Sequence, residues 1–198
     1  MSHLQPRTNS FILASQSPRR RHLLQDADYV FDVIPSDVDE SVFDQQSLSP
    51  RAYAECLALA KASAVSKRYP SKLVVGADTI VDLDGQIIGK PRDARDAEAI
   101  TRQLFSRVHT VITAVALVRI LDPICINQSA CTRVFPKPMT EQQIADHIHG
   151  STWQDKAGAY AIQENGDRFI ERLEGSFTNV VGLPMELLVP LLEGVLKG

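Results

Sequence analysis

Phe11-Ile12-Leu13-Ala14-Ser15-Gln16-Ser17-Pro18-Arg19-Arg20 reads as a buried strand that turns a polar corner into a helix. The apolar run is too short for a helix and is closed by a turn cluster. Ser17 is placed as N-cap and Pro18 as first helical residue. A helix start prefers acidic side chains, because its free N–H groups carry partial positive charge. Arg19 and Arg20 reverse that preference, so an anion in front of them would relieve the repulsion. Hydroxyls, free N–H groups and two guanidiniums at one strand-to-helix corner suit phosphate. Taken alone, the segment Ser15–Arg20 reads equally well as a solvated helix end with a basic face.

Outward from that corner, helices alternate with strands. The first helix is expected over 18–25. Tyr29, Phe31 and Val33 alternate as a half-buried strand. Ser49-Pro50 opens a helix through Tyr53, Leu57, Ala60 and Ala64 to Arg68. Leu73-Val74-Val75 is a buried strand expected to end at Gly76-Ala77-Asp78-Thr79. Asp84-Gly85 is a hairpin signal, and Asp93 caps a helix with Ala97, Ile100 and Leu104 on one side. Two long strands follow, over 110–120 and 124–135, joined at Asp122-Pro123. Thr140-x-x-Gln143 has the form of a capping box. Strands are expected over 159–162 and 169–174 around Asn165-Gly166, and Pro184 opens a final helix. Crossovers mixed with hairpins imply an α/β fold: a mixed twisted sheet in two lobes with a central cleft. The hairpin of the two long strands is expected to form a lobe of its own.

The bulk numbers exclude several classes. Net charge is −3 over 198 residues, so a globally basic nucleic-acid binder is not expected, although a local basic pocket is compatible. Cys56, Cys125 and Cys131 include no Cys-x-x-Cys pair, which argues against a disulfide framework or structural zinc and fits a cytoplasmic location. Residues 1–10 are polar, lack the apolar core of a signal peptide and are read as a flexible N-terminus. No apolar run approaches the ~18 residues of a membrane span, so no membrane partner is expected.

Asp78 interrupts a run that is apolar on both sides, Val74-Val75 before it and Ile80-Val81 after it. A carboxylate embedded in this way is costly unless paired or metal-bound. Gly76 and Ala77 beside it are small enough to let a ligand approach the backbone. Asp39 and Glu40 are the acidic candidates to join Asp78 around a divalent cation. Lys61 lies among alanines and leucines on a helix, and Lys90 follows Gly89 in a loop. Gln163 carries an amide able to read a base edge. His147 and His149 are two apart on a helix and share no face. Trp153 is a candidate packing anchor in a polar loop.

These blocks together resemble the Maf family of nucleoside triphosphate pyrophosphatases. The matching segments are Leu13–Arg20, Asp39-Glu40-Ser41, Leu59-Ala60-Lys61-Ala62 and Val75–Val81. They continue with Gly89-Lys90-Pro91, His109-Thr110-Val111, Lys156–Gln163 and Asn179–Pro184, in family order. The resemblance implies an inosine-triphosphatase-like fold over residues 1–198 as a single domain, often as a homodimer. It implies hydrolysis of a nucleoside triphosphate to the monophosphate and pyrophosphate with a divalent cation such as magnesium, manganese or cobalt. By resemblance, Asp78 is the catalytic proton acceptor, and Arg19, Thr79 and Gln163 set the base preference; on its own chemistry Asp78 is expected to hold the metal, with Glu40 as the second ligand. Ser15, Arg19, Arg20, Lys61, Thr79, Lys90 and Gln163 are then substrate-binding. Thr79 with Gln163 looks like the dTTP/UTP branch. The alternatives are a 7-methyl-GTP pyrophosphatase and a non-catalytic nucleotide-binding regulator of septum formation. The chain departs from the family pattern at Phe105–Val108, at Ser151–Gln154 and at Glu164. An unperturbed aspartate, with a pKa of ~3.9, is a weak acceptor for bulk water. A divalent cation makes water more acidic, so Asp78 is expected both to place the metal and to take the proton.

Overall fold

The computed structural model describes residues 10–150, 153–154, 156–159 and 166–197. The expectations for residues 1–9, for a strand over 160–162, for Gln163, Glu164 and Asn165, and for Ser151-Thr152 lie outside the described residues. No described helix is long and apolar enough to cross a membrane.

The described strands form one seven-stranded mixed sheet in the order β2-β1-β3-β5-β6-β7, with β4 also paired to β3. They are β1 (Phe11–Leu13), β2 (Phe31–Val33), β3 (Val74–Leu83), β4 (Gln86–Ile88), β5 (His109–Arg119), β6 (Ile124–Pro136) and β7 (Ile170–Glu174). The helices are α1 (Pro18–Asp26), α2 (Pro50–Arg68), α3 (Ala94–Leu104), α4 (Glu141–His149), α5 (Phe177–Val181) and α6 (Met185–Leu196). Local chemistry sets many of the boundaries. Ser17, Ser49 and Asp93 accept from backbone N–H groups as N-caps, and Thr140 with Gln143 closes a reciprocal capping box. Asp84 and Gly85 both have positive φ, 54° and 86°, as a two-residue hairpin turn requires.

Strand β3 organises the molecule. Along one edge it pairs with β5 from Val74 to Asp82. Along its other edge it pairs with β1 at Val74 and Val75, then with β4 from Val81 to Leu83. Among the described residues no strand pairs 76–80 on that side, and the cleft opens in this gap. The two lobes are the halves of the sheet on either side of it. One packs with α1, α2 and α6; the other packs with α3 around Val81, Leu83, Leu104 and Phe105. The β5–β6 hairpin does not stand apart as its own lobe. Its strands pair continuously from His109 to Arg119 and back both halves.

Strand β3 also runs on past Asp78, where an end was expected. Val81 and Leu83 are buried and find partners in β4 and β5, so tertiary pairing carries the strand through the polar residues. Gly76 has a different role from the one its size suggested. A Cβ there would lie 2.4 Å from the Ala58 carbonyl oxygen and 2.7 Å from the Ala62 nitrogen. The small residue admits helix α2, not a ligand. Ala54, Ala58 and Ala62 on that helix are fully buried, so α2 lies close on β3 and delivers Lys61 to the sheet. Two further elements differ from expectation. Residues 157–159 form a 3-10 turn with Gly158 at φ 73°. Helix α5, not foreseen, is capped by Ser176 and stopped by Gly182 at φ 124°.

Candidate active site

The gap beside 76–80 is the mouth of a cleft of about 390 Å³. Seven residues selected from sequence line it: Arg19, Arg20, Glu40, Lys61, Asp78, Thr79 and Lys90. They come from α1, the 3-10 turn at Glu40–Val42, α2, β3 and the loop after β4. Alternation along β3 sends Asp78 and Thr79 to opposite faces. Asp78 shares its face with Val74, Gly76 and Ile80 and meets α2. Thr79 turns the other way, toward α1 and the end of α5. Because the strand edge between them is open, both faces contribute to one cleft.

On the α2 face, Lys61 Nζ lies 2.6 Å from Asp78 Oδ1 and 2.6 Å from Glu40 Oε1. The Lys61 and Asp78 side chains are only 12% and 10% exposed, whereas Glu40 is 51% exposed. Burial pushes the Asp78 pKa up from its ordinary value; the neighbouring Lys61 and Arg20 pull it down, and dehydration wins. Asp39, the other acidic candidate, turns away and accepts from the Ser41 backbone N–H and hydroxyl.

Two carboxylates that already share one ammonium are suitably placed to share a metal. The donor set of carboxylate oxygens fits a hard divalent cation, which typically takes one or two carboxylates and completes its shell with phosphate and water. Among the described residues there is no cluster of three or more His, Cys, Asp or Glu side chains, so any such cation would need substrate oxygens as well.

On the opposite face, Arg20 is largely spent on the protein. Its Nε donates to the Gly182 carbonyl at 2.8 Å, one terminal nitrogen to Ser15 Oγ at 3.0 Å and the other to Thr79 Oγ1 at 3.0 Å. Dehydration lowers its pKa, which Asp78 partly offsets. Ser15 does not line the cleft; it holds Arg20 and accepts from the Ser17 backbone N–H. Arg19 is held more loosely, with Nε 3.3 Å from the Val181 carbonyl. Both guanidiniums therefore dock on the end of α5, some 162 residues along the chain.

Sequence reasoning missed part of this site. Lys156 also lines the cleft and is only 8% exposed. It belongs to the Lys-Ala-Gly block already singled out, and a lysine amid small residues was the available signal. The backbone beyond it is tied to the Lys90 loop by Gly158 N–H donating to the Gly89 carbonyl. Tyr53 and Gln45 line the same wall and bond to each other at 3.1 Å. The two histidines of α4 bond to backbone instead: His147 Nε2 lies 2.8 Å from the Ala159 oxygen and His149 Nδ1 2.8 Å from the Ala145 oxygen. Trp153 is a packing anchor, its Nε1 donating to the Ile148 carbonyl.

Comparison with known proteins gives this cleft its setting. The Maf-like protein family matches residues 10–195. The chain belongs to the Maf family. A dTTP/UTP pyrophosphatase from Elusimicrobium minutum is 41% identical over 182 residues, covering 92% of this chain and 96% of that protein. One from Symbiobacterium thermophilum is 42% identical over 181 residues, covering 91% of each. Among solved structures, a HAM1 protein from Coxiella burnetii aligns with a TM-score of 0.49 at 14% identity, covering 94% of this chain and all of that one.

Proposed function

We propose that this chain hydrolyses dTTP and UTP to the nucleoside monophosphate and pyrophosphate, by attack of water on the α-phosphorus. The observation that carries the reading is the meeting of Arg19, Lys61, Lys90 and Lys156 with Asp78 and Glu40 in one cleft. The dTTP/UTP pyrophosphatase relatives at about two-fifths identity supply the substrate class.

The cations hold the triphosphate tail and take up charge as pyrophosphate departs. The attacking water forms a bond to the α-phosphorus, the bond to the pyrophosphate oxygen breaks, and the water proton passes to Asp78. The raised pKa of Asp78 suits that task, because it makes the carboxylate a better proton acceptor than an exposed aspartate. Lys61 holds Asp78 in place and favours its charged form. Asp78 and Glu40 would hold a divalent cation (magnesium, manganese or cobalt), which would supply charge against the phosphates and acidity to the attacking water. Gln163 is proposed to contact the base, together with Thr79. Ser15 and Arg20 act by fixing Thr79 and the end of α5.

Three free cysteines, Cys56, Cys125 and Cys131, support a cytoplasmic setting. The homodimer implied by the family resemblance is tested by light scattering of the purified chain. The function is tested by incubating the chain and magnesium with dTTP, UTP, CTP, GTP and 7-methyl-GTP and measuring pyrophosphate. Release from dTTP and UTP is the expected result. Release from 7-methyl-GTP alone, or tight binding without product, would replace this reading with one of its alternatives.

A further inference from the structure

The hydroxyl of Thr79 stands in a network whose protons can be counted. A threonine has one proton to give and two lone pairs to receive. Thr113, on β5 directly across from Thr79, is fully buried. Its Oγ1 donates to the backbone carbonyl of Asn179 at 2.9 Å. That carbonyl is fixed in turn, because Asn179 is itself fully buried and its Nδ2 donates to the Val111 carbonyl and to Thr132 Oγ1, each at 2.9 Å. The single proton of Thr113 is therefore committed. In the 3.0 Å contact between Thr79 Oγ1 and Thr113 Oγ1, Thr79 must donate. The other acceptor within its reach is the Gly182 carbonyl, at 3.4 Å and already receiving Arg20. Thr113 is the nearer acceptor and the less occupied one, so the Thr79 proton points into the protein toward it. One Thr79 lone pair takes the N–H of Arg20, and what remains toward the cleft is an acceptor.

An acceptor-only oxygen does not suit a phosphate, which is itself an acceptor. It suits an N–H or O–H of the ligand. This inference rests on the proposed activity toward dTTP and UTP. Those two nucleotides differ at the 2′ position, so a 2′-hydroxyl cannot be the donor they share. The 3′-hydroxyl is common to all nucleoside triphosphates and selects nothing. Their shared distinguishing donor is the imide N3–H of the base, which cytosine replaces with a bare lone pair. We infer that Thr113 is a positioning residue for base selection: it fixes the proton of Thr79 inward, so that Thr79 accepts the N3–H of uracil or thymine and rejects cytosine. Cytosine leaves Thr79 and its N3 with facing lone pairs, and a methyl group on N3 of uracil puts carbon where the proton was; a mismatch of either kind costs roughly tenfold or more in kcat/KM.

The test compares kcat/KM for UTP, CTP and 3-methyluridine triphosphate. Wild type is expected to prefer UTP over both others by roughly tenfold or more. Thr113→Val removes the inward acceptor of Thr79 and is expected to compress the UTP-to-CTP ratio at least about fivefold, whereas Thr113→Ser, which keeps the hydroxyl, retains the wild-type ratio. A Thr113→Val protein that turns over UTP with an unchanged ratio overturns the inference while leaving the proposed activity standing. Equal wild-type use of UTP and 3-methyluridine triphosphate overturns it without any variant. A wild type that releases no pyrophosphate from UTP overturns the activity and this inference together.

Discussion

Two places in this molecule have the same design, one cation bridging two carboxylates, and opposite electrostatics. In the cleft, Lys61 joins Asp78 and Glu40. On the surface, Arg102 of α3 joins Glu98 and Glu141, at 2.8 Å and 2.6 Å. Arg102 is 43% exposed and Glu141 80% exposed, against 12% and 10% for Lys61 and Asp78. At the surface the guanidinium pulls the Glu141 pKa below its ordinary value, and the pair raises that of Arg102. In the cleft the same attraction loses to dehydration and Asp78 is pushed up. Burial, not pairing, decides the sign. The surface triad joins two helices at little cost; the buried one holds a carboxylate in an environment that resists its charge, which suits a proton acceptor and not a stabilising bridge.

The largest expected effect is at the buried carboxylate. Asp78→Asn should lower pyrophosphate release by ~10³-fold. The site disfavours the charge that this change removes, so the melting temperature of the metal-free protein should be unchanged or higher. A variant that is both inactive and markedly less stable would break the contrast. Lys61→Met comes next. Removing the cation leaves Asp78 and Glu40 facing each other, and the KM for UTP should rise by ~10-fold. The same variant should move the acid limb of kcat/KM to higher pH, since Lys61 is the leading influence holding the Asp78 pKa down. An acid limb that stays in place would separate Lys61 from Asp78.

The pH dependence follows from the same shift. Protonated Asp78 cannot accept the water proton, so kcat/KM of the wild type should fall on acidification. Stability has the opposite sign. Between 3.8 and the raised value the native state holds a proton that the unfolded chain has lost, so the contribution of Asp78 to stability declines as pH rises through that window. Pyrophosphate release across a pH series and denaturant unfolding of the metal-free protein read the two separately. The smallest effect is expected at the surface triad. Arg102→Ala should leave kcat/KM within about twofold and the melting temperature within about 3 °C. A larger loss of activity would tie α3 to the cleft.

What could be read in advance was written in short-range chemistry. Ser17-Pro18, Ser49-Pro50, Asp84-Gly85 and Thr140-x-x-Gln143 each carry their own local hydrogen-bond solution, and each forms as expected. Strand β3 escaped full reading because its continuation past Asp78 depends on β5, which begins at His109. Helix α5 is only five residues long and has no room for an apolar period. The same distinction runs through the site. Arg20 was recognisable as a cation, but its engagement by Gly182 arises from residues 162 apart. Lys61 and Asp78 are closer in sequence, yet their meeting depends on a glycine whose missing side chain lets a helix settle on a strand.

The central claim, hydrolysis at the α-phosphorus in the gap of β3, has one direct test. Wild-type protein with magnesium is given UTP in heavy-oxygen water and the products are analysed by mass spectrometry. One heavy oxygen in the uridine monophosphate and none in the pyrophosphate is the predicted result. Heavy oxygen in pyrophosphate, or release of orthophosphate and a diphosphate, would contradict it.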